Sequence, residues 1–191
     1  MRKTMLIAGS LALLLLGACS SSKKAARVLK SDMVEVALPL SGPQYRTDAE
    51  FYRAVQSGVS PEMAMAKKIA MQNARQEIAA AVQTDLSSVT ENYAKSRQLP
   101  SEEQRSYEER MTELTYSIVK QTLTGATLAD EKLFREQNGD YRHFVCMEVN
   151  KEELKNRVLD RMKRDERLNS DFEYEQFKKI YEQKLADYSA E

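Results

Sequence analysis

Residues 126–149 read ATLADEKLFREQNGDYRHFVCMEV, and this stretch decides the fold. At its centre, Asn138-Gly139 suits a type I′ turn, which needs positive φ at both central positions. Strand-forming side chains flank the turn, so the spacing predicts an antiparallel hairpin joining 126–135 to 141–149. In the second arm Phe144 and Cys146 share one face, while Val145, Met147 and Val149 share the other. Apolar residues on both faces predict a strand well inside a sheet. Cys146 there reads as a buried small side chain and not as a reactive thiol. His143 has no visible ligand or acid-base partner nearby and reads as structural or surface.

Upstream of the hairpin lies helix. Ser60-Pro61-Glu62 supplies an N-cap serine, a proline for the first turn and an acid at the positive end of the dipole. Met63, Ile69, Ala70, Ala74, Ile78, Val82, Leu86 and Val89 follow at helical spacing, to about Lys95. Alanines along this run make it slim enough to lie close against a sheet. Met63, Met65 and Met71 suggest a soft-metal site at first sight, but at this spacing they read as core filling. Leu99-Pro100 breaks the helix, and Ser101 with Gln104 forms a capping box for a second one. Tyr107, Met111, Leu114, Ile118 and Leu123 give that helix its apolar stripe, and Gly125 its stop. Glu102, Glu103, Glu108 and Glu109 read as a solvated face favouring the helix start, not as catalytic carboxylates.

Further out, Val34, Val36 and Leu38 alternate against Met33, Glu35 and Ala37 as a short first strand, ended by Pro39 and Ser41-Gly42-Pro43. Residues 48–56 read as a short helix with Phe51 and Val55 on one side. After the hairpin, Asn150 and Glu153 start a third helix with the stripe Leu154, Val158 and Met162. Asn169-Ser170-Asp171 starts a fourth, carrying Phe172, Phe177, Ile180, Tyr181, Leu185 and Tyr188. Such an amphipathic helix must bury its stripe, on its own domain, a partner or a second copy. The expected class is therefore α+β: a small antiparallel sheet in strand-helix-strand-strand order, packed by a long alanine-rich helix, with a helical C-terminal extension.

At the other end of the chain, Arg2 and Lys3 precede an apolar run from Met5 to Leu16, which closes on Leu16-Gly17-Ala18-Cys19. These are the parts of a secretory signal. Cys19, directly after two small residues, makes the site a bacterial lipobox, with diacylglycerol transfer to the thiol and cleavage before it. The apolar stretch reaches only about 14 residues against the roughly 20 that span a hydrocarbon core. A serine- and lysine-rich segment follows, and its cations Lys23, Lys24, Arg27 and Lys30 suit a solvated tether near anionic head groups. The expected divisions are 1–18 as signal peptide, 19–32 as lipidated cysteine and tether, 33–150 as the α+β domain and 151–191 as the extension.

Lysine plus arginine number 29, as do aspartate plus glutamate. Losing Arg2 and Lys3 leaves 27 bases against 29 acids, which argues against nucleic acid as a partner. With Cys19 acylated, Cys146 has no partner within the chain, so no disulfide framework is available. There is one histidine and no tryptophan. The chain shows no Gly-x-Ser-x-Gly, no His-Glu-x-x-His, no glycine-rich phosphate loop and no calcium loop. No catalytic, cofactor-binding or metal-ligating residue is therefore nominated.

The helical run 66–79, AKKIAMQNARQEIA, and the pair Leu123-Thr124-Gly125-Ala126 with Phe144-Val145-Cys146-Met147-Glu148-Val149 resemble the small twenty-kilodalton LPP lipoproteins of bacterial envelopes. The resemblance covers 34–149 and implies a compact strand-helix-strand-strand module with a binding or scaffolding role. It carries over no catalytic residues. Ser20 after the cysteine, with no acidic cluster behind it, resembles lipoproteins sorted to the periplasmic face of the outer membrane. The expected function is a membrane-anchored binding or scaffolding module with a protein partner in the envelope. The alternatives are a carrier of a small or lipidic ligand, placed between long helix and sheet, and a cell-wall hydrolase.

Overall fold

The computed structural model describes residues 36–97, 101–165 and 171–189. Three strands and four helices follow in the order β1 (Phe51–Ser60), α1 (Met63–Arg97), α2 (Ser101–Gly125), β2 (Thr127–Arg135), β3 (Tyr141–Asn150), α3 (Lys151–Arg164) and α4 (Asp171–Ala186). Short 3-10 turns sit at Pro43–Tyr45 and Asp187–Ser189. The sheet is antiparallel in the order β1-β3-β2, which puts β3 at its centre. The α+β class and the order of elements are those expected, and Ala37–Glu191 forms one compact unit.

The first strand is not where the alternation of 33–38 predicts it. Residues 36–38 form no strand, and 33–35 lie outside the described residues. The strand is 51–60 instead, so the short helix expected over 48–56 is also absent. Its buried side carries Tyr52, Ala54, Gly58 and Ser60, too small and polar to register as an apolar face. Phe51 and Val55, four apart, fit one side of a helix and equally one face of a strand, because four is also an even number.

Gly58 explains how the helix seats on this strand. A Cβ there would lie 2.4 Å from the Ala66 carbonyl oxygen and 2.7 Å from the Ala70 nitrogen. Backbone thus packs on backbone, and Ala66, Ala70 and Ala74 are fully buried at the contact. Val145, Met147 and Val149 of β3 complete the interface from the sheet side. The helix starts later than Ser60-Pro61-Glu62 predicts: α1 begins at Met63, and the Glu62 carbonyl accepts its first bond from the Ala66 amide at 3.0 Å. Ser60 ends β1, its Oγ accepting from the Glu62 amide at 3.1 Å in the turn between strand and helix. The buried face begins at Ala66, so Met63 and Met65 fall outside it and remain 52% and 44% exposed. Met71 alone of the three packs partly against the core, which corrects the core-filling reading of the cluster.

Lengths dictate the rest. A ten-residue strand spans about 33 Å and the 35-residue α1 about 52 Å, so the helix outruns the sheet. The overhanging part carries Val82, Leu86, Val89 and Tyr93, all buried. Helices α2 and α4 pack on α1, and α4 also packs on α3. Tyr93 meets the Tyr107 ring at 5.1 Å and the Phe177 ring at 5.7 Å. Phe177 and Tyr181 are fully buried, so the C-terminal stripe folds back into the domain's own core. The side chain of Phe172 and the helix start at Asn169 and Ser170 lie outside the described residues.

The hairpin turn differs from expectation. Gly139 alone has positive φ in the hairpin, at 94°, so the turn is not type I′. The Gly139 amide donates to the Glu136 carbonyl at 3.0 Å and the Glu136 amide to the Asp140 carbonyl at 2.8 Å. This is a three-residue loop, a type I turn closed by a left-handed glycine. At the start of α2, Gln104 Nε2 donates to Glu108 Oε1 at 2.9 Å, and the capping box expected of Ser101 with Gln104 rests on a side chain outside the described residues. The Ser101 side chain and the break at Leu99-Pro100 lie outside the described residues.

Candidate functional site

The expected lipobox, Leu16, Gly17, Ala18 and Cys19, lies outside the described residues, as does the tether expected behind it. Among the described residues, no helix is long and apolar enough to cross a membrane. The side chains that carry chemistry collect in four places.

The first is the junction of the sheet's end with α1, α3 and the C-terminus. Asp85 stands on the buried stripe of α1, where its Oδ2 accepts from Tyr52 Oη at 2.7 Å and Tyr188 Oη at 2.9 Å. Lys184 Nζ lies 3.6 Å from its Oδ1. Lys151, the first residue of α3, is 1% exposed and its Nζ has no hydrogen-bond partner. The ammonium rests instead on ring faces, 3.1 Å from the Tyr188 centroid and 4.6 Å from that of Tyr52. Burial pushes Lys151 down to about 8, against the nearby negative charge of Asp85. Its position in the first turn of a helix adds to the disfavour, since that end of the dipole is positive. Burial likewise holds the Tyr52 and Tyr181 hydroxyls far above the usual phenol range. A recess of about 530 Å³ opens beside this cluster, lined by Glu50, Lys151, Lys155 and Glu182 among others. Lys155 is already paired there with Glu152 at 2.8 Å and Glu182 at 3.3 Å.

The second is the helix-facing side of the hairpin. His143 Nε2 lies 2.9 Å from Glu131 Oε2, and Lys67 Nζ lies 2.6 Å from the same oxygen. Lys67 first, then His143, holds the Glu131 carboxyl below its usual range. His143 is buried, so of the two readings offered by the sequence the structural one applies. Its partner comes from the neighbouring strand, twelve residues back, where no local motif reveals it.

The third is the far face of the sheet. Cys146 is fully buried and unpaired, and burial pushes its thiol up to about 11. A thiol held protonated in this way is a packing group. Above it crosses the segment that precedes β1: Tyr45 Oη donates to Asp130 Oδ2 at 2.5 Å, and Thr47 Oγ1 exchanges hydrogen bonds with the Arg53 backbone. Arg53 binds Glu148 at 3.1 Å and also Asp48. Leu40 is buried in this strap with a left-handed φ of 55°.

The fourth is a groove of about 550 Å³ between α1 and α2. Met111, Ala94 and Val119 form its floor, with Thr90, Thr115 and Tyr116 around them. Tyr116 is 72% exposed at its rim. The sequence signals this groove only faintly, through threonines on the inner side of α2 where apolar residues would close the seam. The helix-sheet interface, where a carrier was expected to hold its ligand, is filled instead by Ala70, Ala74, Ile78 and Met147, each at most 1% exposed.

Among the described residues, no three His, Cys, Asp or Glu side chains converge as metal ligands. Comparison with known proteins finds no family model, no curated protein and no solved structure that matches the chain.

Proposed function

We propose that the mature protein is a lipoprotein, held at the periplasmic face of the outer membrane by acyl chains on Cys19, that binds or scaffolds another envelope protein without catalysis. The observation that carries this reading is Leu16-Gly17-Ala18-Cys19 behind a short basic and apolar leader. One acyl chain binds a bilayer reversibly and two or more hold a protein there, so the domain works by staying in place. Near-neutral charge and the resemblance to small LPP lipoproteins point the same way. Replacing Cys19 with serine is expected to leave an uncleaved precursor that stays in the aqueous phase on detergent partitioning. Partitioning like the parent protein would refute the anchor.

A second reading, a carrier of a small or lipidic ligand, is favoured by one observation, the α1–α2 groove over Met111 and Val119. The chain has no tryptophan, so Tyr116→Trp at the rim gives a clean fluorescence probe. A saturable emission change with a fatty acid would support the carrier. An unchanged spectrum would leave the scaffold reading alone.

A further inference from the structure

We propose that β2 pairs antiparallel with β2 of a second copy about a two-fold axis at Leu133, joining two three-stranded sheets into one of six strands. This goes beyond the membrane-anchored reading and does not depend on it. Strand β2 is one of the two edges of the sheet, and among the described residues no further strand pairs with it; α1 lies over β1 and β3 and reaches β2 only through the Lys67 side chain. Eight of its nine residues are exposed, including Leu133 at 43% and Phe134 at 44%. An unpaired edge with exposed apolar side chains is a template for another strand.

Backbone alternation fixes which residues are available. The Glu136 amide donates to the Asp140 carbonyl, so residues 134, 132 and 130 bond to β3. Leu133 and Arg135 therefore turn their N–H and C=O groups to the edge, and Glu131 its C=O, since the Glu131 amide already donates to Asp130 Oδ1 at 2.7 Å. The register shift of β2 is confined to Leu128 and Asp130, which leaves 131–135 regular.

The side chains then choose the register. About an axis at Leu133, Leu133 meets its own copy and Glu131 meets Arg135 twice, once on each side, through the carboxyl oxygen other than Oε2, which already holds Lys67 and His143. Lys132 meets the face of Phe134. Glu131, Leu133 and Arg135 share the helix side of the sheet, and Lys132 and Phe134 the other, so every pair lies on a common face. Moving the axis to Glu131 would set that carboxylate against itself and run the pairing through the shifted residues. An axis at Lys132 would oppose two ammonium groups, and like charges directly opposite destabilise a strand pair. An axis at Phe134 would match Lys132 with Glu136 but set Leu133 against Arg135, and in that register Arg135→Glu opposes no acid, so the charge change tells the two registers apart.

Sedimentation velocity on the full chain carrying Cys19→Ser, so that no acyl chain contributes, is expected to show a monomer–dimer equilibrium. Arg135→Glu sets acid against acid at two symmetry-related positions and is expected to weaken the dimer about tenfold. Leu133→Pro removes an edge-facing N–H while sparing the bonds to β3, and is expected to abolish the dimer with an unchanged circular dichroism spectrum. A parent chain that stays monomeric at its solubility limit would overturn the proposal. A dimer indifferent to Arg135→Glu and Leu133→Pro would overturn it too, as would β2 amides protected from exchange only by a different envelope protein.

Discussion

Lys151 gives the fold a pH dependence of definite sign. Its pKa falls from 10.5 to about 8 on burial, so the folded state binds its proton less tightly than the unfolded chain. Between these two values the unfolded chain holds more protons, and the contribution of Lys151 to stability rises with pH. Below about 8 the folded state bears the cost of a buried ammonium without a hydrogen bond, partly offset by the Tyr188 and Tyr52 rings. Lys151→Met keeps the volume and removes the charge. It is expected to raise stability at pH 7 by roughly 1 kcal/mol, with the gain shrinking as pH climbs from 8 to 10.5. Urea titrations of both proteins across that range check it; a gain that grows with pH would contradict the assignment. Removing Asp85 has the opposite effect on stability, since it takes away the acceptor of the buried Tyr52 hydroxyl and of the half-buried Tyr188 hydroxyl. Asp85→Ala is expected to cost about 3 kcal/mol, and Tyr188→Phe about 1. An acid spaced three from Val82 and four from Val89 marks Asp85 as buried already in the sequence. Its partners stand 33 and 103 residues away, and no local pattern connects them.

At the scale of elements, legibility followed the size of the buried side chains. The hairpin, α1 and α3 declare themselves through turn residues, caps and large apolar stripes, and Asn150 does cap α3 through its Oδ1 to the Glu153 amide at 2.9 Å. Strand β1 hides because closeness does the work there that bulk does elsewhere: Gly58 and the alanines of α1 bury little side chain but bring backbones together. Gly58→Ala is expected to cost about 2 kcal/mol, since the new methyl meets helix backbone that no rotamer change can move aside. Thermal unfolding followed by circular dichroism measures it, and a neutral effect would mean that helix and strand separate freely. The C-terminal stripe was readable as needing burial, but its destination was not. Phe177 and Tyr181 lie at the centre of the helical core. Deleting 170–191 is therefore expected to open the domain, with dye binding to exposed apolar surface and loss of a cooperative transition. A truncated chain that still unfolds cooperatively at the parent temperature would show that α4 is dispensable.

For the molecule as a whole, a filled core and a local anchor motif divide the labour. The domain buries its helix-sheet interface, ties its one histidine to a carboxylate through Nε2 and holds its buried cysteine as a thiol. What remains for interaction is surface: the α1–α2 groove and the free edge of β2. Neither was legible in the sequence, because an edge is defined by what fails to cover it, and that depends on where a long helix lies across three strands. Location, by contrast, rests on four consecutive residues and requires no fold at all. The most direct measurement is the intact mass and N-terminal fragment of the native protein purified from membranes. The proposed function requires a chain that begins at Cys19 and carries the added mass of its acyl groups. A chain that retains its first eighteen residues, or begins at an unmodified Cys19, would contradict it.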